Sequence, residues 1–309
     1  MIFLYLATAL ILIILSVFAY LFFYAFVRKK QKTGASDTFF GDDLLKEFET
    51  VIKDGIRYNE SEPFEKVYTT SYDGLKLVGR LYKATSKHIG TIILFHGYRS
   101  RGIRDFSGAV KEYRGFGLDV LMIDMRSHGE SQGKLITFGV KERYDVLTWT
   151  NFILQNAPDE NIFYSGLSMG CSTVLMATEL GLPKQVKGIV ADCGYTSPYD
   201  ILKSVAKSRF KISGALAVPF LGLYCKILGG FTLRQANTVT AVKNCTTPIL
   251  FIHGASDDFV PPEMTLKAYE SATCKKRLVL IENAGHGTSY LCDKKTITDA
   301  LFDLVNQKL

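Results

Sequence analysis

The sequence has no C-x-x-C pair, no internal repeat and no low-complexity tract, and each absence removes a class of function. Its six cysteines, Cys171, Cys193, Cys225, Cys245, Cys274 and Cys292, are scattered without metal-ligand spacing. A structural zinc site is thereby excluded, and buried thiols in a reducing compartment are expected. Cys274 and Cys292 are the pair that could form a bridge if the membrane topology is the reverse of the one derived below. The formal net charge is +7, but Arg28, Lys29, Lys30 and Lys32 supply much of it. That clustering makes the excess no signal for nucleic acid.

Charge is missing altogether from residues 2–27. As a helix this run is about 39 Å long, enough to cross a hydrocarbon core of about 30 Å with some tilt. We read it as a membrane anchor. A cleavable signal peptide is the alternative, but it calls for a basic region ahead of a shorter apolar core and for small residues at the cleavage site; here the apolar run starts at once and ends in aromatics. The basic residues follow the span, so the positive-inside rule places the C-terminal body in the cytoplasm. The same charges suit anionic headgroups.

Residues 31–42 read as a polar linker, and a helical pattern follows to about Asp54. From Phe64 the periodicity becomes two: residues 65–70, an Asp73-Gly74 turn, then residues 75–82 predict an antiparallel hairpin. Beyond it, apolar runs of strand length at 91–95, 119–123, 161–165, 186–191, 248–252 and 277–281 alternate with helical patterns. Strands without polar alternation, separated by helices, imply a parallel sheet covered on both faces. Ligands of such sheets sit beyond the carboxyl ends of the strands.

The stretch 161–171 reads as a strand, a sharp turn and a helix start, with Ser168 between Gly166 and Gly170 in the pattern G-x-S-x-G. Small residues on both sides let the backbones pass and leave the hydroxyl pointing out of the sheet. The bland reading is a glycine-rich turn with an incidental serine. The Met169 amide opens the following helix, where free N–H groups favour negative charge, so it supplies half of an oxyanion hole. The Tyr98 amide, in the loop His96-Gly97-Tyr98 after the first parallel strand, supplies the other half.

A serine hydroxyl needs a base, and the base needs an acid to fix its tautomer. Five histidines are available. His88 stands at the wrong end of a strand; His96 and His128 precede the serine, contrary to the expected order; His253 reads as a packed loop histidine. His286, between two glycines, remains as the base. Asp257 is the acid preferred over its neighbour Asp258 and over Asp192. Asp124, Arg126 and His128 read as a hydrogen-bonded loop scaffold rather than as catalysts.

Together these motifs resemble the α/β-hydrolase superfamily, and within it the branch of serine aminopeptidase S33-like and lysophospholipase-like hydrolases. The residues that carry the resemblance are His96-Gly97-Tyr98, Asp124-x-Arg126-x-His128-Gly129-x-Ser131, Gly166-x-Ser168-x-Gly170, His253-Gly254-x-x-Asp257-x-x-Val260-Pro261 and Gly285-His286. The resemblance implies Ser168 as nucleophile, His286 as base, Asp257 as acid, the Tyr98 and Met169 amides as oxyanion donors, and no metal or organic cofactor. Two departures stand out. The apolar span lies outside the hydrolase-like region, and Tyr98-Arg99-Ser100 is not the glycine-rich form of some esterases.

The organisation expected is an anchor with its basic flank at 1–30, a juxtamembrane linker and helix at 31–60, and a hydrolase domain at 61–309 with a helical lid at about 195–244. The lid is apolar and basic: Ile201, Val205, Ile212, Leu216, Val218, Phe220, Leu221, Leu223, Tyr224, Ile227 and Leu228 stand against Lys203, Lys207, Arg209, Lys211, Lys226, Arg234 and Lys243, with Asp200 as its single carboxylate. Such a lid either selects an acyl chain or anionic lipid, or merely covers the mouth of the sheet. The expected function is hydrolysis of carboxylic esters, lipid-like or otherwise apolar, by a single-pass membrane serine hydrolase. A peptidase or amidase using the same triad is the alternative, weakened by the scarcity of acidic groups to hold a free ammonium; Glu282 is the carboxylate that would restore it. A silent hydrolase fold acting as a membrane-tethered binding protein is the third reading.

Overall fold

The computed structural model describes residues 1–29, 47–211 and 213–308; the expected linker at 31–42, with Lys30, Lys32 and Ile212, lies outside them. One eight-stranded sheet organises the chain, in the order β1-β2-β4-β3-β5-β6-β7-β8. β1 (Glu65–Thr70) and β2 (Lys76–Tyr82) form the expected hairpin. Its turn is closed by Gly74 at φ 85, a conformation that glycine adopts without steric cost. β2 also pairs antiparallel with β4 (Leu118–Asp124). From there β3 (Gly90–Phe95), β5 (Ile162–Leu167), β6 (Val186–Asp192), β7 (Ile249–Gly254) and β8 (Lys276–Ile281) run parallel.

Every residue of β3 and β5 is buried, as expected of strands covered on both faces. Side chains alternate between two cores. Ile93 and Phe95 point into one, with Trp149 of the helix Glu142–Asn156 and Val174 of the helix Met169–Ala177. Ile92 and Leu94 point into the other, with Val110 of the helix Ala109–Gly115 and Leu301 and Leu304 of the helix Lys294–Val305. All six cysteines are free thiols.

The N-terminal helix α1 (Ile2–Phe26) is long and apolar enough to cross a membrane. Its end differs from the sequence expectation that the span lies outside the hydrolase region. Phe22 and Phe26 are 1% and 0% exposed within the larger core. The chain then pairs with the loop after β4: Ile136 N donates to Phe26 O at 2.7 Å and Arg28 N to Lys134 O at 2.8 Å. Hydropathy cannot distinguish a phenylalanine facing lipid from one facing protein, so the run read as one continuous anchor. The helix α2 (Glu49–Ser61) extends past the pattern that ended near Asp54, because Asn59 is buried and donates to Ile103 O at 3.3 Å.

Two helices cover the carboxyl ends of the strands within residues 195–244. The first, α3 in the cap (Pro198–Ser208), starts on a Ser197 cap, whose hydroxyl accepts from Asp200 N at 3.1 Å, with Pro198 at its first position. The second, α4 in the cap (Gly214–Tyr224), is apolar throughout and leans on α1: Phe18 and Phe220 stack at 5.1 Å, and the Tyr224 hydroxyl donates to Leu15 O at 2.7 Å.

Candidate active site

Ser168 follows the last residue of β5 directly, at φ 54 and ψ −113. A non-glycine residue is strained there, and the surroundings show what holds it. A Cβ on Gly170 would lie 1.8 Å from Phe95 O, and one on Gly166 would lie 2.6 Å from the Cys171 backbone. The two glycines are therefore required by close backbone approach. Ser168 N donates to Asp192 O at 2.9 Å, which ties the turn to β6.

β7 and β8 bring the partners. His286 Nε2 lies 2.8 Å from Ser168 Oγ, and His286 Nδ1 lies 2.7 Å from Asp257 Oδ2. With Nδ1–H donating to the carboxylate, Nε2 is the nitrogen that faces the Ser168 hydroxyl as an acceptor. The other oxygen, Asp257 Oδ1, accepts the amides of Phe259 at 3.0 Å and Val260 at 2.8 Å. Burial works against ionisation of Asp257, but the charge of His286 and the hydrogen bonds from His253 and His286 outweigh it and hold the carboxyl well below the usual range. Asp258 is exposed and takes no part. Asp192 ends β6 with a buried Oδ1 that has no partner; burial, opposed by His253 and His286, pushes it up to about 7. Of the three acids considered, Asp257 is the one brought to His286.

One relation escaped the sequence reading. His253 does not merely pack: its Nε2 lies 3.1 Å from Asp257 Oδ2 and 2.9 Å from Val260 O, while Nδ1 meets Thr265 Oγ1 at 2.7 Å. Asp257 thus receives two imidazoles. The available signal was the spacing His253-Gly254-x-x-Asp257, which puts both on the same side of one turn.

The loop 96–98 lies against Ser168, since a Cβ on Gly97 would sit 3.6 Å from Ser168 Cβ. Among the described residues, neither the Tyr98 nor the Met169 amide donates to another protein atom. Both are available to an oxyanion. His96 and His128 are structural: His96 Nε2 accepts from Met125 N at 3.1 Å and His128 Nε2 accepts from Arg99 N at 3.0 Å. Burial holds His128 well below the ordinary histidine range. Arg126 joins Asp145 at 2.6 Å and Asp73 at 2.9 Å, and Asp124 accepts the Glu130 amide at 2.8 Å, which is the loop scaffold expected. The loop carrying Tyr98 is also fastened to α1. The Tyr98 hydroxyl donates to Ala25 O at 2.8 Å, and Arg99 donates to Tyr24 O and Val27 O.

Ser168 opens into a cavity of about 380 Å³ with an almost wholly apolar lining. Ile201, Val205, Val218 and Leu221 of the cap form one side, Phe18, Leu21 and Ala25 of α1 the other, and Arg209 is its charged lining residue. Among the described residues, Cys193, Asp257 and His286 form a cluster with ligand atoms within 4.8 Å. It is a poor metal site: the histidine and carboxylate are committed to each other, and burial pushes the Cys193 thiol well above its ordinary value, away from thiolate.

Comparison with known proteins agrees with this fold. A family profile described as alpha/beta hydrolase fold matches residues 90–211. The Pyrococcus furiosus esterase Pf2001 superimposes with a TM-score of 0.66 at 22% identity, covering 81% of this chain and 93% of that one. Est1E of Butyrivibrio proteoclasticus, solved with ferulic acid bound, superimposes at 0.59 and 17% identity over 78% of this chain and 98% of its own. The chain has the α/β-hydrolase fold. An uncharacterized Bacillus subtilis protein, YqkD, is 27% identical over 208 residues, covering 67% of this chain and 68% of that protein. Rv2307c of Mycobacterium tuberculosis, also uncharacterized, is 24% identical over 236 residues, 76% of each chain.

Proposed function

We propose that this protein is a membrane-anchored serine hydrolase that cleaves carboxylic esters with an apolar acyl part. The observation that carries the reading is the continuous relay from Asp257 through His286 to Ser168, at 2.7 and 2.8 Å, beside two unused amides. Ser168 Oγ attacks the ester carbonyl while His286 Nε2 takes its proton; the carbonyl oxygen becomes an oxyanion facing the Tyr98 and Met169 amides. Collapse breaks the bond to the alcohol, which leaves with the proton from His286. Water then attacks the acyl carbon, gives its proton to His286 and releases the acid, and Ser168 recovers its proton.

The apolar cavity supports an acyl substrate. Esterase is what the Pyrococcus protein is called, and that name agrees with the reading. A peptidase of the S33 type is less well supported: among the described residues the cavity lining holds no carboxylate to pair with a substrate ammonium, and Glu282 is exposed outside it. Retention of α1 as an anchor, rather than its removal as a signal peptide, is supported by Phe22 and Phe26, whose loss would open the core. The positive-inside rule then puts the catalytic body in the cytoplasm.

A fluorophosphonate probe on the full chain tests the reading. Labelling of the wild type that disappears in Ser168→Ala and after heat denaturation is expected. A folded wild type that stays unlabelled would overturn it.

A further inference from the structure

The cavity at Ser168 is built by two pieces that have no reason to meet in a simple tethered enzyme. Phe18, Leu21 and Ala25 are spaced three and four residues apart, so they form one stripe of α1, and that stripe is the wall facing the cap helices. The opposite wall is cap. The helix that carries the chain into a membrane is thus the same helix that lines the route to the nucleophile.

Length adds a second constraint. Residues 2–17 of α1 are largely exposed, whereas contact with the cap begins at Leu15 and Phe18. At about 1.5 Å per residue those sixteen residues reach about 24 Å, short of a hydrocarbon core of about 30 Å. For α1 to span, the next four residues must also lie in hydrocarbon, and they bring the cap helix that is stacked on Phe18 with them. The cap is made for that depth. Phe220, Leu223, Ile227 and Leu228 are 52%, 51%, 69% and 51% exposed, an apolar surface that water does not favour. Lys226, exposed, directly precedes Ile227, and the exposed Arg209 lines the cavity; cationic side chains at such places suit anionic headgroups.

We propose that the substrate of Ser168 is a bilayer amphiphile whose acyl chain enters sideways from the leaflet, between α1 and the cap, along the stripe of Phe18, Leu21 and Ala25. The anchor is then one wall of the acyl pocket and sets its length. This rests on the reading of Ser168 as an acyl-accepting nucleophile, and it goes beyond that reading in naming where the substrate comes from.

The test uses the full chain in phospholipid vesicles, with nitrophenyl butyrate and nitrophenyl palmitate as substrates and fluorophosphonate labelling of Ser168 as the check that each variant is folded. Leu21→Trp fills the stripe, and the ratio of palmitate to butyrate turnover is expected to fall about tenfold or more, the scale on which pocket size discriminates alkyl chains. Leu21→Ala, which only removes volume, is the variant to read if Leu21→Trp loses its label, and it is expected to raise the ratio. A second measurement places the cap: the native tryptophan, Trp149, is fully buried, so Ile227→Trp adds an exposed reporter that phospholipids brominated on their acyl chains should quench. An unchanged ratio in a labelled variant, or a residue-227 tryptophan quenched by aqueous acrylamide and not by brominated lipid, would overturn the leaflet route while leaving the hydrolase intact. A wild type without Ser168 labelling would remove the hydrolase reading, and this route with it.

Discussion

The Phe26 ring lies 5.3 Å from the Phe138 ring in an edge-on contact, so the end of the apolar N-terminal helix is part of the core beneath the active site. Phe26→Ala is expected to cost about 3–5 kcal/mol, the range for truncating a buried phenylalanine. Phe3, 88% exposed near the other end of the same helix, is the control, and Phe3→Ala should stay within about 0.5 kcal/mol. Thermal unfolding of both variants in one detergent checks this. Equal melting temperatures would mean that the whole helix is only a tether.

The relay from Asp257 to Ser168 predicts a pattern of losses rather than a single loss. Ser168→Ala and His286→Ala should each lower kcat by about 10⁴-fold or more, and the double variant should be no worse than either, because groups that act as one unit are not additive. Asp257→Asn should lose less, since it keeps the imidazole near its place but with the wrong hydrogen-bond partner. Steady-state rates on one short ester decide it. Additive losses would separate the residues.

Much of this was legible in the sequence, for a physical reason. Strands buried on both faces read as uninterrupted apolar runs, as at 91–95 and 161–165, and glycines forced by backbone contact, such as Gly166 and Gly170, mark the turn that carries Ser168. Chain order and strand ends then left few choices for Asp257 and His286. What stayed hidden depends on contacts between distant segments. Phe22 and Phe3 have the same side chain and differ only in what surrounds them, so hydropathy assigned both to lipid. The second imidazole on Asp257 was passed over because a histidine at a strand end is more often packing.

Asp192 gives a pH prediction. Its folded pKa, raised to about 7 chiefly by burial, lies above the ordinary value of 3.8, so the folded state holds the proton more tightly than the unfolded one. Stability from this group is therefore complete below the ordinary value and is lost as pH rises towards 7. Asp192→Asn keeps the neutral shape and should match the wild type near pH 4. Its advantage should grow to roughly 4 kcal/mol by pH 8, or about 2–4 °C in melting temperature for each kcal/mol. Parallel melting curves for the two proteins across that range would show that the carboxylate is satisfied when charged.

His253 Nε2 and His286 Nδ1 converge on Asp257 Oδ2 at 3.1 and 2.7 Å, so each draws on the same negative charge. Replacing His253 by phenylalanine, which has no N–H, withdraws one donor from that oxygen and concentrates its charge on His286. The imidazolium of His286 is then better stabilised, so the acid limb of the kcat/KM profile should move to higher pH. The lost donor also loosens the carboxylate, and kcat should fall by roughly tenfold while KM holds, because the change lies behind the triad and not in the acyl cavity. Thr265, which meets His253 Nδ1 at 2.7 Å, supplies the comparison. Thr265→Val leaves Nε2 and its bond to Asp257 in place, so its pH profile should keep the wild-type position. A profile that moves equally in both variants, or moves to lower pH in His253→Phe, would make His253 a packing residue and nothing more.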